Sequence, residues 1–373
     1  MILTLIIAFL SLIALMVIHE FGHFIIAKKF GVRVEEFGVG YPPRLFGKKI
    51  GETIYSVNLI PLGAFVRIYG EEGGVDDYRS FVNLKIWQRV LIVIGGVAAF
   101  WIASIIIFSV VFAIGSDLPI GDQDTQGVTN VQVKVVSVSK DSPAYTAGLK
   151  AGDTITSVQV GNTETKIDKI ADFQKITNDN KGNQINVTVV RSGSAVILDL
   201  TPRLTSPIGE GPVGISLERM ATLIEKHPWY QAPIQGVVYT WQTTVSALKG
   251  LYTMFSGLFS GKGTPEEASF AGPLGITVFL ANAASYGVGF FLYFIGMISV
   301  FIAIFNLFPI PALDGGKLVF LLIEKIMKKP VPAKIEQSIT AIFFIILITF
   351  SIYITIRYDI PRFSQFLKSS LQK

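Results

Sequence analysis

The chain has 373 residues, half of them hydrophobic before its 35 glycines are counted, and only 16% are charged. A soluble domain carries about 25% charge, and the mean hydropathy here is +0.53, which excludes a plain cytosolic globular protein. A net charge of +5 from 32 basic and 27 acidic residues is too dispersed for a nucleic-acid partner, and the absence of Cys removes disulfides, thiolate metal sites and a cysteine nucleophile.

A transmembrane helix needs about 20 mainly apolar residues. Residues 1–27 supply the first, with Glu20 as the one charged side chain. The stretch is long for a removed signal peptide and lacks a basic leader and a small-residue cleavage site. Residues 28–89 follow as a loop with ten Lys or Arg, and residues 90–116 are a second, uncharged span. Residues 126–204 alternate in strand fashion between glycine-punctuated turns, which reads as one soluble domain. Residues 205–288 form an amphipathic, aromatic-rich region expected to lie along the membrane interface, with a loop at 260–264. A third span over 289–313 and a fourth over 337–356, closed by Arg357, precede a tail at 357–373. The expected fold class is thus an α-helical polytopic membrane protein with four transmembrane helices, an inserted extracytoplasmic α+β domain and a membrane-associated β-hairpin.

Basic loops mark the cytoplasmic face. Residues 28–89 carry Lys28, Lys29, Arg33, Lys48 and Lys49 among others, and the loop between spans three and four carries Lys317, Lys325, Lys328, Lys329 and Lys334. Both termini and the inserted domain are then expected outside the cytoplasm.

The first span holds His19-Glu20-Phe21-Gly22-His23. Helical residues four apart differ by about 40° around the axis, so both imidazoles can face one metal. Glu20 stands beside them, placed to take a proton from water activated by that metal. Zinc suits imidazole better than calcium or magnesium, which prefer oxygen shells. The bland alternative is a pair of packing histidines with a snorkelling glutamate. A catalytic zinc needs a third protein ligand. The only other histidine, His227, falls on the opposite side of the membrane in this topology and reads as an ordinary interfacial residue. Asp314 is the better source, in Asn306-Leu307-Phe308-Pro309-Ile310-Pro311-Ala312-Leu313-Asp314-Gly315-Gly316. Two prolines and two glycines there break helix geometry, and non-helical backbone at membrane depth lines a cavity or is buried in protein. The alternative for Asp314 is a surface residue capping the helix that follows.

These motifs resemble the site-2 protease family of intramembrane zinc metalloproteases, and the bacterial regulator-of-sigma-E branch in particular. Phe37-Gly38-Val39-Gly40, Glu52-Thr53, Ile60-Pro61-Leu62-Gly63 and Tyr69-Gly70-Glu71 are similar to the family's cytoplasmic loop. Ser142-Pro143-Ala144, Ala147-Gly148-Leu149 and Gly152-Asp153 are similar to its PDZ domain, and Gly272-Pro273-Leu274-Gly275-Ile276 to its approach to the third span. The resemblance implies His19, His23 and Asp314 as Zn2+ ligands, Glu20 as general base, and a substrate-contacting set of Asn306, Pro309, Pro311, Leu59, Ile60 and Gly63. It implies substrates that are single-pass membrane proteins or signal-peptide remnants already cut by another protease, with the lipid bilayer as the other partner. The bacterial inner membrane is the implied location. One departure stands out: where relatives read Gly-Pro-x-x-Asn at the start of the second span, this chain reads Gly95-Gly96-Val97-Ala98-Ala99.

Residues 53–60, turning at Pro61-Leu62-Gly63 into 64–69, read as a hairpin dipping toward the site. Its edge could accept an unwound substrate by β-addition; a plain cytoplasmic hairpin is the alternative. Water must also reach the metal, so a polar cavity open to the cytoplasm is expected. Whether the PDZ-like domain at 126–204 sieves substrates or binds them is open at this level. A different class of function, a non-catalytic membrane adaptor with a structural metal, predicts that Glu20 is dispensable. A transporter would need more polar residues in spans two and four.

Overall fold

A computed structural model of the chain describes residues 2–71, 73, 77–122, 129–191, 193–207, 210–224, 226–259 and 271–364. The loop expected at 260–264 and part of the tail at 357–373 lie outside the described residues. The chain divides into two units: Met1–Ile114 with His227–Gln372, and Gly115–Lys226.

Four helices of the first unit are long and apolar enough to cross a membrane. They are α1 (Ile2–Lys29), α2 (Ile86–Ile114), α7 (Val288–Asn306) and α9 (Ala333–Ile354), the last continuing through a π-turn to Ser364. The expected boundaries shift for physical reasons. Lys28 and Lys29 remain in the last turn of α1, where the negative end of the helix dipole favours cations. The second helix begins at Ile86, before the expected 90, and carries Arg89 inward because Glu324 meets it at 2.6 Å, both side chains being under 10% exposed. The largest correction is to the third span. Helix α7 stops at Asn306 and not at 313, since Pro309 and Pro311 cannot continue it. The chain turns over residues 307–313 and starts α8 (Asp314–Met327).

Helices α1 and α2 cross closely through glycine. A Cβ on Gly22 would lie 2.2 Å from the Gly95 carbonyl oxygen, so only backbone meets backbone there, as is usual at small-residue helix crossings in lipid. Their shared core includes Leu15, Val97, Phe100 and Ala103 with Leu280 and Ile295.

The region expected to lie along the interface is different. Helix α5 (Ala232–Phe259) runs antiparallel beside α2: a Cβ on Gly236 would meet Ser109, Thr240 Oγ1 lies 3.4 Å from Ser104 Oγ, and Trp101 Nε1 donates to Thr244 Oγ1 at 3.2 Å. Thr240 and Thr244 of its polar stripe thus bond to another helix. Helix α6 (Pro273–Ser285) begins at Gly272, whose N–H donates to the fully buried Asp359 carboxylate. Side chains at Gly272 or Gly275 would collide with that carboxylate, which accounts for the glycines of the Gly-Pro-x-Gly sequence.

Between α1 and α2 lie β1 (Val34–Ile50) and β2 (Thr53–Ile68). Their pairing is richer than one hairpin. Residues 36–39 pair with 64–67 on one side and with 54–57 on the other, while 44–50 pair back onto 53–58. The tight turn therefore falls at Gly51-Glu52, and Pro61-Leu62-Gly63 is a reversal within a longer paired strand. Residues 64–68 are left at an edge of this sheet. Leu45, Phe46, Ile50 and Leu59 are all more than half exposed.

The second unit is a seven-stranded sheet with strand order β3-β9-β4-β5-β7-β8 and β6 paired to β5. The strands are β3 (Ser116–Pro119), β4 (Thr129–Val138), β5 (Thr154–Val160), β6 (Thr163–Lys166), β7 (Ile185–Arg191), β8 (Ser194–Leu200) and β9 (Ile215–Ile224), with helices α3 (Pro143–Thr146) and α4 (Ile170–Asp179). Alternation buries Val133, Val135, Ile155, Val187 and Val189 against Leu149 and Phe173. Burial alone would raise the Asp153 carboxyl, but hydrogen bonds from Arg191 and the Lys150 N–H overcome it and hold that carboxyl below its ordinary value. The unit is longer at both ends than the expected 126–204. Residues 207–214, rich in Gly and Pro, lie between its last two strands and read, in sequence, as a boundary.

Candidate active site

The α1 periodicity brings the two imidazoles together as the spacing requires, with Nε2 atoms 3.3 Å apart. Asp314 Oδ2 lies 3.4 Å from His19 Nε2 and 3.6 Å from His23 Nε2. A tetrahedral zinc shell with bonds of about 2.0–2.1 Å separates its donors by about 3.3–3.4 Å, so this nearly equilateral triangle fits that ion. Asp314 Oδ2 is closed to solvent and makes no hydrogen bond, a state that buried polar atoms avoid unless a partner is to be supplied. Among the described residues, these three form the cluster able to hold a metal. His227 lies outside it, with its ring edge-on to Phe112.

His23 Nδ1 lies 2.9 Å from the Ile92 carbonyl oxygen. A carbonyl only accepts, so Nδ1 carries the proton and Nε2 turns its lone pair toward Asp314. The His19 ring stacks on Phe100 at 4.7 Å between centroids. Asp314 is the first residue of α8, yet its carboxylate points at the histidines and does not cap that helix. The two glycines after it let the preceding turn fold over α8: a Cβ at Gly315 would lie 2.2 Å from the Phe308 oxygen, and one at Gly316 2.3 Å from the Ile310 oxygen. Thr340 on α9 donates to the Pro311 carbonyl at 3.2 Å and ties the same turn down.

Glu20 sits one residue along α1 from His19, and its Oε2 accepts the Val66 N–H at 3.1 Å. Val66 pairs with Phe37 on its inner side, so this N–H belongs to the outer edge of the sheet. A cavity of about 1050 Å³ is lined by His19, Glu20 and Asp314 at its inner part, with Arg89, Lys317 and Glu336 among its charged lining. It gives the buried cluster an approach lined by these charged groups and by a larger apolar surface.

The remaining sequence-derived candidates separate. Asn306 and Pro311 line this cavity. Pro309 is exposed and does not line it. Leu59 and Ile60, 54% and 42% exposed, and Gly63 also fall outside its lining. After the reversal at Pro61-Leu62-Gly63 the Val66 N–H reaches Glu20, although residues 64–68 do not line this cavity either.

Comparison with known proteins adds the family. The model of peptidase family M50 matches residues 7–350. The chain belongs to peptidase family M50. A relative from Clostridium perfringens, named as a candidate zinc metalloprotease, is 34% identical over 94% of this chain and 96% of its own length. Similarly named proteins of Clostridium acetobutylicum and a Nostoc species are 32% and 30% identical over 94% and 93% of this chain, covering 96% and 93% of their own lengths.

Within this M50 chain, the departure at Gly95-Gly96 acquires a physical meaning. A Cβ on Gly96 would stand 2.2 Å from His23 Nε2, so glycine here lets the imidazole lie flush against α2. The sequence signal for this contact is a glycine pair in the middle of an apolar span. Gly96→Val is expected to abolish stoichiometric metal retention without altering a ligand. Metal analysis of the purified variant, with circular dichroism to confirm its helices, checks this.

Proposed function

We propose that this M50 chain is an intramembrane zinc endopeptidase of the site-2 protease type, in the regulator-of-sigma-E branch, with the second unit as its single PDZ-like domain. Its substrates are single-pass membrane proteins already shortened by another protease, such as anti-sigma factors or signal-peptide remnants. It works in the bacterial inner membrane, with both termini and the PDZ-like domain outside the cytoplasm and the site toward the cytoplasmic side. One observation carries the reading: a carboxylate oxygen without a hydrogen bond completes a zinc-sized triangle with two imidazoles, and a fourth ionisable group, Glu20, stands in the same cavity.

His19, His23 and Asp314 hold the zinc. When bound, zinc acts as a Lewis acid that polarises the scissile carbonyl and makes water a nucleophile near neutral pH. Glu20 takes the proton from the attacking water and passes it to the leaving amine. The Val66 N–H fixes Glu20 Oε2 in position. A helical substrate hides its peptide bonds in its own hydrogen bonds and must unwind. The outer edge of residues 64–68, next to Glu20, offers an unwound segment backbone partners by strand addition. Asn306 lines the cavity that also holds Glu20. The exposed Leu45, Phe46, Ile50 and Leu59 suit a hairpin seated in lipid. Three protein ligands beside an open cavity suit catalysis; a structural zinc is enclosed by four.

The test uses the full chain in lipid vesicles with a panel of single-pass transmembrane peptides bearing short or bulky extracytoplasmic domains. Cleavage within the apolar segment is expected for the short forms and not for the bulky ones. A zinc-loaded protein that cleaves none of them contradicts the proposal.

A further inference from the structure

We propose that residues 116–122 are a resident ligand of the inserted sheet: the chain's own strand occupies the edge of β9 at which an extended peptide would add. Strand β9 pairs with β4 on one side. Its other side is an edge of the kind that captures peptides by β-augmentation. That side is already taken. Ser116, Asp117, Leu118 and Pro119 pair antiparallel with Ile224, Thr222, Ala221 and Met220, and the Ile120 N–H donates to the Arg219 carbonyl at 2.7 Å.

Side chains lock the segment in place. Thr222 Oγ1 donates to Asp117 Oδ1 at 3.1 Å. Arg219, 3% exposed, donates from Nη1 to the Gly121 carbonyl at 2.6 Å and from Nε to the Asp168 carbonyl at 2.7 Å. Helix α4 has no side-chain cap from its own N-cap residue Lys169. Asp122 supplies one instead, accepting the Ile170 and Ala171 N–H groups at 3.0 and 2.7 Å. Backbone pairing, a buried cation and a borrowed helix cap thus converge on one short segment. Any strand added along residues 219–224 must displace residues 116–122. The inserted unit therefore excludes extended chains from this edge unless they compete with its own strand.

The chain contains no Cys, so an engineered pair gives a clean switch. Asp117 and Thr222 are directly opposed, with side-chain oxygens in contact, and directly opposed antiparallel residues fit disulfide geometry. The probe is a fluorescent synthetic peptide with the sequence of residues 115–122, added to the full-length protein in detergent. A tethered strand competes at an effective concentration in the millimolar range, so micromolar probe should bind the unaltered chain weakly. D122A removes the α4 cap and should bind the probe about fivefold more tightly. The D117C/T222C variant should bind it when reduced and lose binding when oxidised, with binding restored by reductant. Failure of the disulfide to form, equal binding by oxidised and reduced protein, or no gain in D122A would each overturn the proposal.

Discussion

Replacing Glu20 by Gln is expected to lower cleavage of a transmembrane peptide by about 100- to 10,000-fold, the range for loss of a general base, while the protein keeps its metal. The substitution preserves shape and the hydrogen bond from Val66, whose N–H needs only an acceptor. It removes the ability to hold a proton. The two effects separate when cleavage and metal content are measured on one preparation. An adaptor with a structural metal would leave Glu20→Gln fully functional, and that outcome would exclude the proposed chemistry.

Replacing Asp314 by Ala should have a different signature. The triangle loses one corner, and His19 and His23 remain as two donors on one helix. Losing even an outer-shell partner costs about 10- to 100-fold in metal affinity; removing a direct ligand should cost more, so zinc content after dialysis should fall well below one per chain, and cleavage with it. The helices should persist, because Asp314 makes no hydrogen bond through Oδ2 and does not cap α8. Zinc retained at full stoichiometry would remove Asp314 from the ligand set. Excess zinc should restore part of the activity in this variant and none in Glu20→Gln.

The metal set was legible because it rests on short-range chemistry. Two histidines four residues apart on a helix must share a face, and a carboxylate amid Pro and Gly at the end of a span advertises irregular backbone. The four apolar spans were legible for a similar reason, since uncharged runs of that length have few other uses. What sequence missed depends on long-range register. The edge at residues 64–68 reaches Glu20 only because residues 36–39 pair on both sides, which no local pattern encodes, so Leu59, Ile60 and Gly63 looked as suitable as Val66. Amphipathicity at α5 also has a packing reading. Thr240 and Thr244 look like a water-facing stripe but bond to Ser104 and Trp101. Gly96 was visible as a departure, but its purpose needed the position of the His23 ring. The strand at residues 116–119 falls between the expected second span, 90–116, and the expected domain, 126–204, because four residues are too few to show strand alternation.

The most direct test of the zinc site is zinc K-edge absorption spectroscopy on the purified full-length protein, paired with metal analysis. One zinc per chain is expected, with two imidazoles and one carboxylate at about 2.0–2.2 Å and a coordination position not filled by protein. A shell closed by four protein donors, or a chain that takes up no zinc, would contradict it.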